Sequence, residues 1–305
     1  MNTKSPNRDH SSPIVGIALV VVGALAFSSK AIVIKLAYSY DSSVTPIILM
    51  TLRMGMALPF FLFTIYLIER NQKPTHLHAR DIINLIGLGL IGFYLAAYLD
   101  FVGLSYITAS LERLILLLYP TFVVLITALL KRQPINMREA IALCISYIGF
   151  IIVFAQELSL SEPNIILGSL FVLGSAISFA IYFIGNSAII QRLGAKRCTA
   201  YSMSFACIAT SIHFGAAYDP MILDLPEDVY GLALFMALVC TVLPTFLIAA
   251  GIQRIGPNPA AIISSLGPIM TLVLAYFFLN EALTVNQLTG AMLVIIGIFV
   301  VTKKK

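Results

Sequence analysis

Charge is what this chain has least of. Only 11% of its 305 residues are Asp, Glu, Lys or Arg, against 59% hydrophobic, and the mean hydropathy is +0.96. A soluble protein of this length carries charge on roughly a quarter of its residues. This chain lacks the charge for a wet surface and must use lipid as solvent. A formal charge of +5 invites nucleic acid. The basic residues, however, sit in short loops between apolar runs, with no basic face interleaved with aromatics, and that excludes a nucleic-acid partner. Trp is absent, so an interfacial aromatic belt falls to tyrosines such as Tyr38, Tyr66, Tyr106 and Tyr218. Cys144, Cys198, Cys207 and Cys240 form no CxxC pair and read as small apolar fillers. No GxxxxGK[ST] occurs, which excludes an ATP motor of that type. Gly87, Gly89 and Gly92 match GxGxxG inside an apolar run with no preceding strand, and read as small residues for close helix packing. No nucleophile–base pattern supports an enzyme. His76 and His78 lack a third ligand, so neither a metal nor a cofactor is expected.

What is present is a series of ten apolar runs, each near the 20 or so residues a helix needs to cross a bilayer. They predict helices over 14–37, 45–68, 81–100, 106–130, 137–154, 165–190, 198–217, 229–250, 258–279 and 285–302. The connections are short and hold the breakers, as in DSSVTP, KRQPINMRE and RIGPNP, leaving no room for a sizeable soluble domain. Lys4 and Arg8, an apolar run from Ile14, then Ala24-Leu25-Ala26 resemble a cleavable signal peptide. The internal repeat described below uses this segment, so it is kept as the first spanning helix behind a cytoplasmic tail over 1–13.

Basic residues mark alternate connections. Lys4 and Arg8 precede helix 1; Arg70, Lys73 and Arg80 join helices 2 and 3; Lys131, Arg132 and Arg138 join 4 and 5. Arg192, Lys196 and Arg197 join helices 6 and 7, Arg254 lies between 8 and 9, and Lys303, Lys304 and Lys305 close the chain. The remaining connections hold no Lys or Arg, only acids such as Asp41, Glu157, Asp228 and Glu281. By the positive-inside bias both termini are cytoplasmic, and the protein belongs in the inner or plasma membrane of the cell.

The chain also repeats itself. At a shift of 148, residues 103–153 fall on 251–301 without a gap: Gly103 on Gly251, Ile107 on Ile255, Pro120 on Pro268, Gly149 on Gly297. Helices 1 and 6 align at a shift of 152, Gly16 with Gly168 and Phe27 with Phe179. This divides the chain into a first five-helix repeat over 14–154, an external linker over 155–164, a second repeat over 165–302 and a basic tail over 303–305. Five is odd, so the second repeat is inverted. The expected fold class is all-α integral membrane, with ten transmembrane helices as two inverted five-helix repeats. In that architecture related halves exchange inward-open and outward-open states around one site.

Six charges interrupt the apolar runs: Lys30 and Lys35 in helix 1, Arg53 in helix 2, Asp100 in helix 3, Glu112 and Arg113 in helix 4. All belong to the first repeat. Helices 1 and 3 run outward and 2 and 4 inward, so all six lie in the outer half of the membrane. At 1.5 Å per residue, Arg53 and Glu112 are roughly 9–12 Å below the outer boundary. Intramembrane charges face a bundle interior or a wet cavity and mark a pathway by default. Adjacent helical residues point about 100° apart, so Glu112 and Arg113 need separate partners. Glu112 is expected to pair with Arg53 or Lys30, and Arg113 to point at substrate or at Asp100. A purely structural ion pair stays open for Glu112 beside the functional reading. Lys35 lies close enough to the interface to snorkel. The second repeat offers softer candidates: Tyr182 and Asn186 in helix 6, His213 in helix 7, and Asn258, Ser264 and Ser265 in helix 9. Tyr182 aligns with Lys30, and Ala260-Ala261 align with Glu112-Arg113. His213 has the chemistry of a proton carrier, though a lone His is more often a packing residue. Pro120 and Pro268 are expected to kink helices 4 and 9, freeing carbonyls there.

The segments ITASLERLILLLYPTFVVLITALLKRQPI and GPNPAAIISSLGPIMTLVLAYFFLNEALT resemble the two signature regions of the EamA branch of the drug/metabolite transporter superfamily. With ten helices and a five-plus-five inversion, the resemblance covers the chain from about residue 14 to 302. It implies a central cavity between the halves, lined largely by helices 1, 3, 4, 6, 8 and 9. Fourth helices of that branch usually carry small or apolar residues where Glu112 and Arg113 stand. The expected function is secondary transport of a small polar or zwitterionic, amino-acid-like metabolite, more outward than inward. Proton coupling at Glu112 is an added expectation, because burial favours the neutral form of a carboxyl. The excess of positive charge argues for a substrate with a carboxylate or phosphate. Import or exchange of an anionic metabolite is the alternative, followed by a facilitator, a channel or a membrane-embedded lipid-handling protein. The expected partners are a small molecule and the bilayer, with a homodimer left open.

Overall fold

The structure is a computed structural model describing residues 13–41, 43–71, 77–132, 135–159, 164–218, 225–255, 260, 263 and 266–302. Ser264, Ser265, Asn258, Ala261, His76 and the tails 1–12 and 303–305 lie outside the described residues. In hydrocarbon every backbone N–H and C=O must be satisfied within its own segment, so long apolar runs fold as helices. Among the described residues all regular structure is helical.

Span 1 runs Pro13–Tyr40, span 2 Pro46–Asn71, span 3 Ala79–Leu104 and span 4 Ala109–Lys131. Span 5 is Met137–Ser159, span 6 Ile165–Leu193 and span 7 Ala195–Ala217. Span 8 joins Glu227–Ala237, Leu238–Val242 and Leu243–Ile255; span 9 is helical over Gly267–Leu279 and span 10 over Val285–Thr302. Six segments, in spans 1, 2, 3, 4, 6 and 8, are long and apolar enough to cross a membrane, and shorter apolar helices lie in spans 5, 9 and 10. Span 7 is more polar but has 23 residues, about 35 Å at the helical rise and enough for the hydrocarbon.

Several spans are not single regular helices. Span 1 has a turn at Ser29 that the sequence did not announce. Span 4 is interrupted at Leu117 and Leu118 and resumes at Tyr119 with Pro120 in its first turn; span 9 resumes at Gly267 with Pro268 in the same place. Proline is accepted there because first-turn N–H groups have no intrahelical partner. Spans 3 and 8 each carry a π-helical turn, Leu90–Leu95 and Leu238–Val242.

These irregularities recur at the 148-residue shift. The π-turn at Leu90 maps onto that at Leu238, the restart at Tyr119 onto that at Gly267, and the left-handed cap Arg132 (φ 50°) onto Asn280 (φ 54°). Packing recurs as well. Span 1 lies on span 8 and span 3 on span 6, while spans 2 and 7, and spans 5 and 10, pair with each other. A Cβ added to Gly16 would strike Ile255, and one added to Gly168 would strike the aligned Ile107. In the GxGxxG stretch, Gly89 packs on the Ser202 backbone and Gly92 under the Tyr182 ring. Gly87 has nothing within 4 Å, so close packing explains two of the three glycines.

Candidate functional site

The break in span 1 places Lys30 at the start of a new helical segment, pointing into the protein with only 8% of its surface exposed. Its ammonium lies 2.5 Å from Asp100 Oδ2 and 3.6 Å from Glu112 Oε1. Asp100 and Glu112 are 2% and 0% exposed, so one buried cation serves two buried carboxylates. No N–H or O–H group among the described residues donates to either Glu112 oxygen or to Asp100 Oδ1. Of the two partners expected for Glu112, the structure supplies Lys30.

Two caps fix the helix that carries Glu112. Thr108 Oγ1 accepts from Leu111 N–H at 3.2 Å. Glu281, from the connection between spans 9 and 10, accepts from the N–H groups of Ala109 (2.9 Å) and Ser110 (3.2 Å) and from the Ser110 hydroxyl (2.5 Å). Orphan N–H groups at a helix start favour an anion. The second repeat thereby holds the first-repeat helix on which the charged pair sits.

The other charges behave differently from one another. Arg53 is buried, with its guanidinium 5.0 Å from the Phe101 ring. Arg113 lies 4.9 Å over the Phe27 ring, and among the described residues no carboxylate reaches ion-pair distance of it. Lys35 is half-buried and donates to the Leu104 carbonyl at 3.3 Å, where it meets the C-terminal end of span 3. Phe27 is 43% exposed although it lies in the middle of span 1. Gly267 stands beside Arg113: an added Cβ would be 3.0 Å from Nη2 and 3.2 Å from Ser28 Oγ. Ser28 in turn donates to the Gly267 carbonyl at 3.1 Å, and Thr271 to the Ser28 carbonyl at 3.2 Å. The break in span 1 and the break in span 9 therefore meet, next to Arg113.

In the second repeat, Asn186 Nδ2 donates to the Tyr182 hydroxyl at 2.8 Å, with both residues buried. Tyr182 belongs to a chain of rings: Phe93 at 4.7 Å between centroids, Phe179 at 5.7 Å, then Tyr119 at 5.3 Å from Phe179. His213 is half-buried among Tyr94, Tyr98 and Tyr218 and bonds the Tyr94 hydroxyl at 2.8 Å, apart from the Lys30 cluster. Sequence reasoning passed over Phe27, Ser28, Tyr119, Phe179, Gly267 and Glu281 as site residues. The alignment of Phe27 with Phe179 was the one available signal. Two open grooves lie elsewhere, one of ≈ 420 Å³ lined by Phe60, Phe63, Lys196 and Phe246, among others, and one beside Leu158 and Asn164. Both are largely apolar and neither touches the charges.

A model of the EamA-like transporter family matches the chain twice, over residues 14–155 and 166–303. The chain belongs to this family. It is 32% identical over 280 residues to the uncharacterized transporter YcbK of Bacillus subtilis (strain 168), covering 90% of this chain and 88% of that protein. The uncharacterized transporter YyaM of the same organism is 24% identical, with 81% of each chain covered. One crystal structure superposes with a TM-score of 0.63 at 14% identity, covering 95% of this chain and 98% of the other, a likeness of fold. The protein is an integral membrane transporter of the EamA-like family.

Proposed function

We propose that the protein is a secondary transporter of the cell membrane, with cytoplasmic termini and two inverted five-helix repeats over 14–154 and 165–302, and that it moves a small carboxylate-bearing metabolite outward. The observation carrying this reading is Arg113, a half-buried guanidinium with no carboxylate at ion-pair distance among the described residues, next to a layer where Lys30 bridges Asp100 and Glu112. Taking a charge out of water costs several kcal/mol even after relaxation, and a bundle that only needed packing would do better with apolar residues. An amino-acid-like zwitterion would need an acid on the same opening as Arg113. Asp100 and Glu112 are instead buried against Lys30, which favours the anionic alternative. The outward direction rests on the family resemblance alone.

Proton coupling is part of the proposal. Two buried carboxylates share one ammonium, at 2.5 Å for Asp100 and 3.6 Å for Glu112. A proton on Glu112, the more distant of the two, leaves Lys30 to Asp100. The first experiment is an untargeted comparison of metabolites in cells and medium, wild type against Arg113→Gln at matched expression. A compound that moves to the medium only with wild type supports the reading; equal movement with both makes Arg113 structural. In proteoliposomes, transport indifferent to an imposed pH gradient removes the coupling step.

A further inference from the structure

We infer that the site takes a planar aromatic monocarboxylate, its carboxylate on Arg113 and its ring on the Tyr119–Phe179 wall, with no place for an ammonium group. This deepens the transport reading above and rests on it.

Charge comes first. Lys30 and Arg53 are matched in number by Asp100 and Glu112, and all four are at most 8% exposed. Arg113 is the more exposed of the two guanidinium groups, half-buried where Arg53 is 6% exposed. A guanidinium bared to hydrocarbon is costly, and the 43% exposed Phe27 ring beneath it leaves an uncovered face by which a ligand can approach. One monoanion neutralises Arg113. An ammonium would need an acid on that opening, and the two acids of the layer are 2% and 0% exposed behind Lys30.

Space comes second. Gly267 gives the guanidinium room, since any side chain there would press on Nη2. Arg113 and Tyr119 lie six residues apart on span 4, on either side of its break at Leu117 and Leu118. From Tyr119 the rings continue to Phe179 at 5.3 Å and 83°, to Tyr182 at 5.7 Å and 36°, and to Phe93 at 4.7 Å and 60°. Phe183 flanks Tyr119 at 6.1 Å. The Tyr182 hydroxyl is already engaged by Asn186. A sugar-like body laid on this wall would lose hydrogen bonds to water without replacement, whereas a flat ring finds edges and faces to stack on.

The test is titration calorimetry on the full-length protein in nanodiscs, with phenylacetate, cyclohexylacetate, phenylalanine and phenethylamine as probes. Phenylacetate binds tightest. Cyclohexylacetate, with the same charge and no ring face, binds about 2- to 10-fold weaker. Phenylalanine and phenethylamine, which bring an unpaired ammonium, bind at least about 10-fold weaker. Arg113→Gln abolishes phenylacetate binding, with Arg113→Lys retaining part of it as a control for folding. Phe179→Leu erases the preference for phenylacetate over cyclohexylacetate and leaves the affinity for cyclohexylacetate unchanged. Phenylalanine binding as tightly as phenylacetate, equal affinity for the two acetates, or wild-type binding by Arg113→Gln overturns the inference. If none of the four binds while the metabolite comparison shows another compound moving, the inference fails and the transport reading stands. If phenylacetate binds as described and nothing moves, the transport reading fails instead.

Discussion

Lys30 is the residue whose removal tests the charged layer most directly. Its ammonium is 2.5 Å from Asp100 and 3.6 Å from Glu112. At an effective dielectric constant of about 20, these distances give gross attractions of roughly 7 and 5 kcal/mol. Most of that is cancelled by the cost of taking three charges out of water. The difference of about 2 kcal/mol is the useful quantity, because it ranks the two carboxylates. Lys30→Met leaves two buried carboxylates with no shared cation, and should cost about 3–5 kcal/mol. Asp100→Asn removes the closer partner and should cost more than Glu112→Gln, by about 2 kcal/mol. Glu112→Gln takes nothing from the Lys30–Asp100 pair and should be the mildest of the three. Adding Asp100→Asn to Lys30→Met should recover stability, since it removes one of the stranded charges. The assay is denaturant unfolding of the full-length protein in mixed micelles at neutral pH, analysed as a double-mutant cycle. If the Lys30→Met/Asp100→Asn protein is as unstable as the sum of the single variants, the two groups are not paired and the layer described above is wrong. If Glu112→Gln is as damaging as Lys30→Met, the ranking by distance is wrong.

Three further outcomes follow from the geometry. Glu281→Ala removes three hydrogen bonds from the start of span 4 and should cost about 2 kcal/mol, with faster amide exchange confined to residues 109–112; exchange unchanged there refutes the cap. Gly103→Ala forces a Cβ to 2.9 Å from the Gly168 carbonyl and should cost about 1–3 kcal/mol, while Gly87→Ala, with open space, should be neutral or slightly stabilising; equal unfolding midpoints for the two refute the close-packing account. Arg197→Lys loses the fork that meets Glu69 at 2.9 and 3.3 Å and should cost about 1 kcal/mol in the same unfolding assay, an effect that shrinks in a Glu69→Gln background.

The architecture was legible because lipid leaves the chain few choices. An apolar run of about 20 residues has one economical fold in hydrocarbon, and the short connections, which hold most of the charges and the helix breakers, separate such runs cleanly. The positions of irregularity were only half legible. Pro120 and Pro268 announce the breaks in spans 4 and 9, since proline cannot continue a helix without losing a bond. The turn at Ser29 has no such residue; it forms where Ser28 and Ser29 bond back to the Ala24 and Ala26 carbonyls and Ser28 reaches Gly267 across the bundle. That contact is tertiary, and no local pattern encodes it. The π-turns at Leu90–Leu95 and Leu238–Val242 were silent for the same reason. The charged candidates stood out because a charge in an apolar run is rare, which is why Lys30, Asp100, Glu112 and Arg113 were found. Phe27, Tyr119 and Phe179 were not, because in a chain with 19 phenylalanines and 13 tyrosines an aromatic ring carries no local signal.

The duplicated frame explains why the site has two unlike ends. Equivalent positions have diverged in opposite senses: Lys30 stands where the second repeat has Tyr182, Arg113 where it has Ala261, and Tyr119 where it has Gly267. Phe27 and Phe179 are equivalent as well, yet one lies under Arg113 and the other against Tyr119. With Ala261 at the position equivalent to Arg113, the second repeat brings no like charge there to repel it. The absence of a side chain at Gly267 gives Arg113 its room, and the Tyr119 ring extends the wall toward Phe179. One repeat supplies the charge and its counter-ions; the other supplies Phe179, Tyr182 and the space at Gly267. A ligand with an anionic end and a flat apolar end fits such a site in one orientation only.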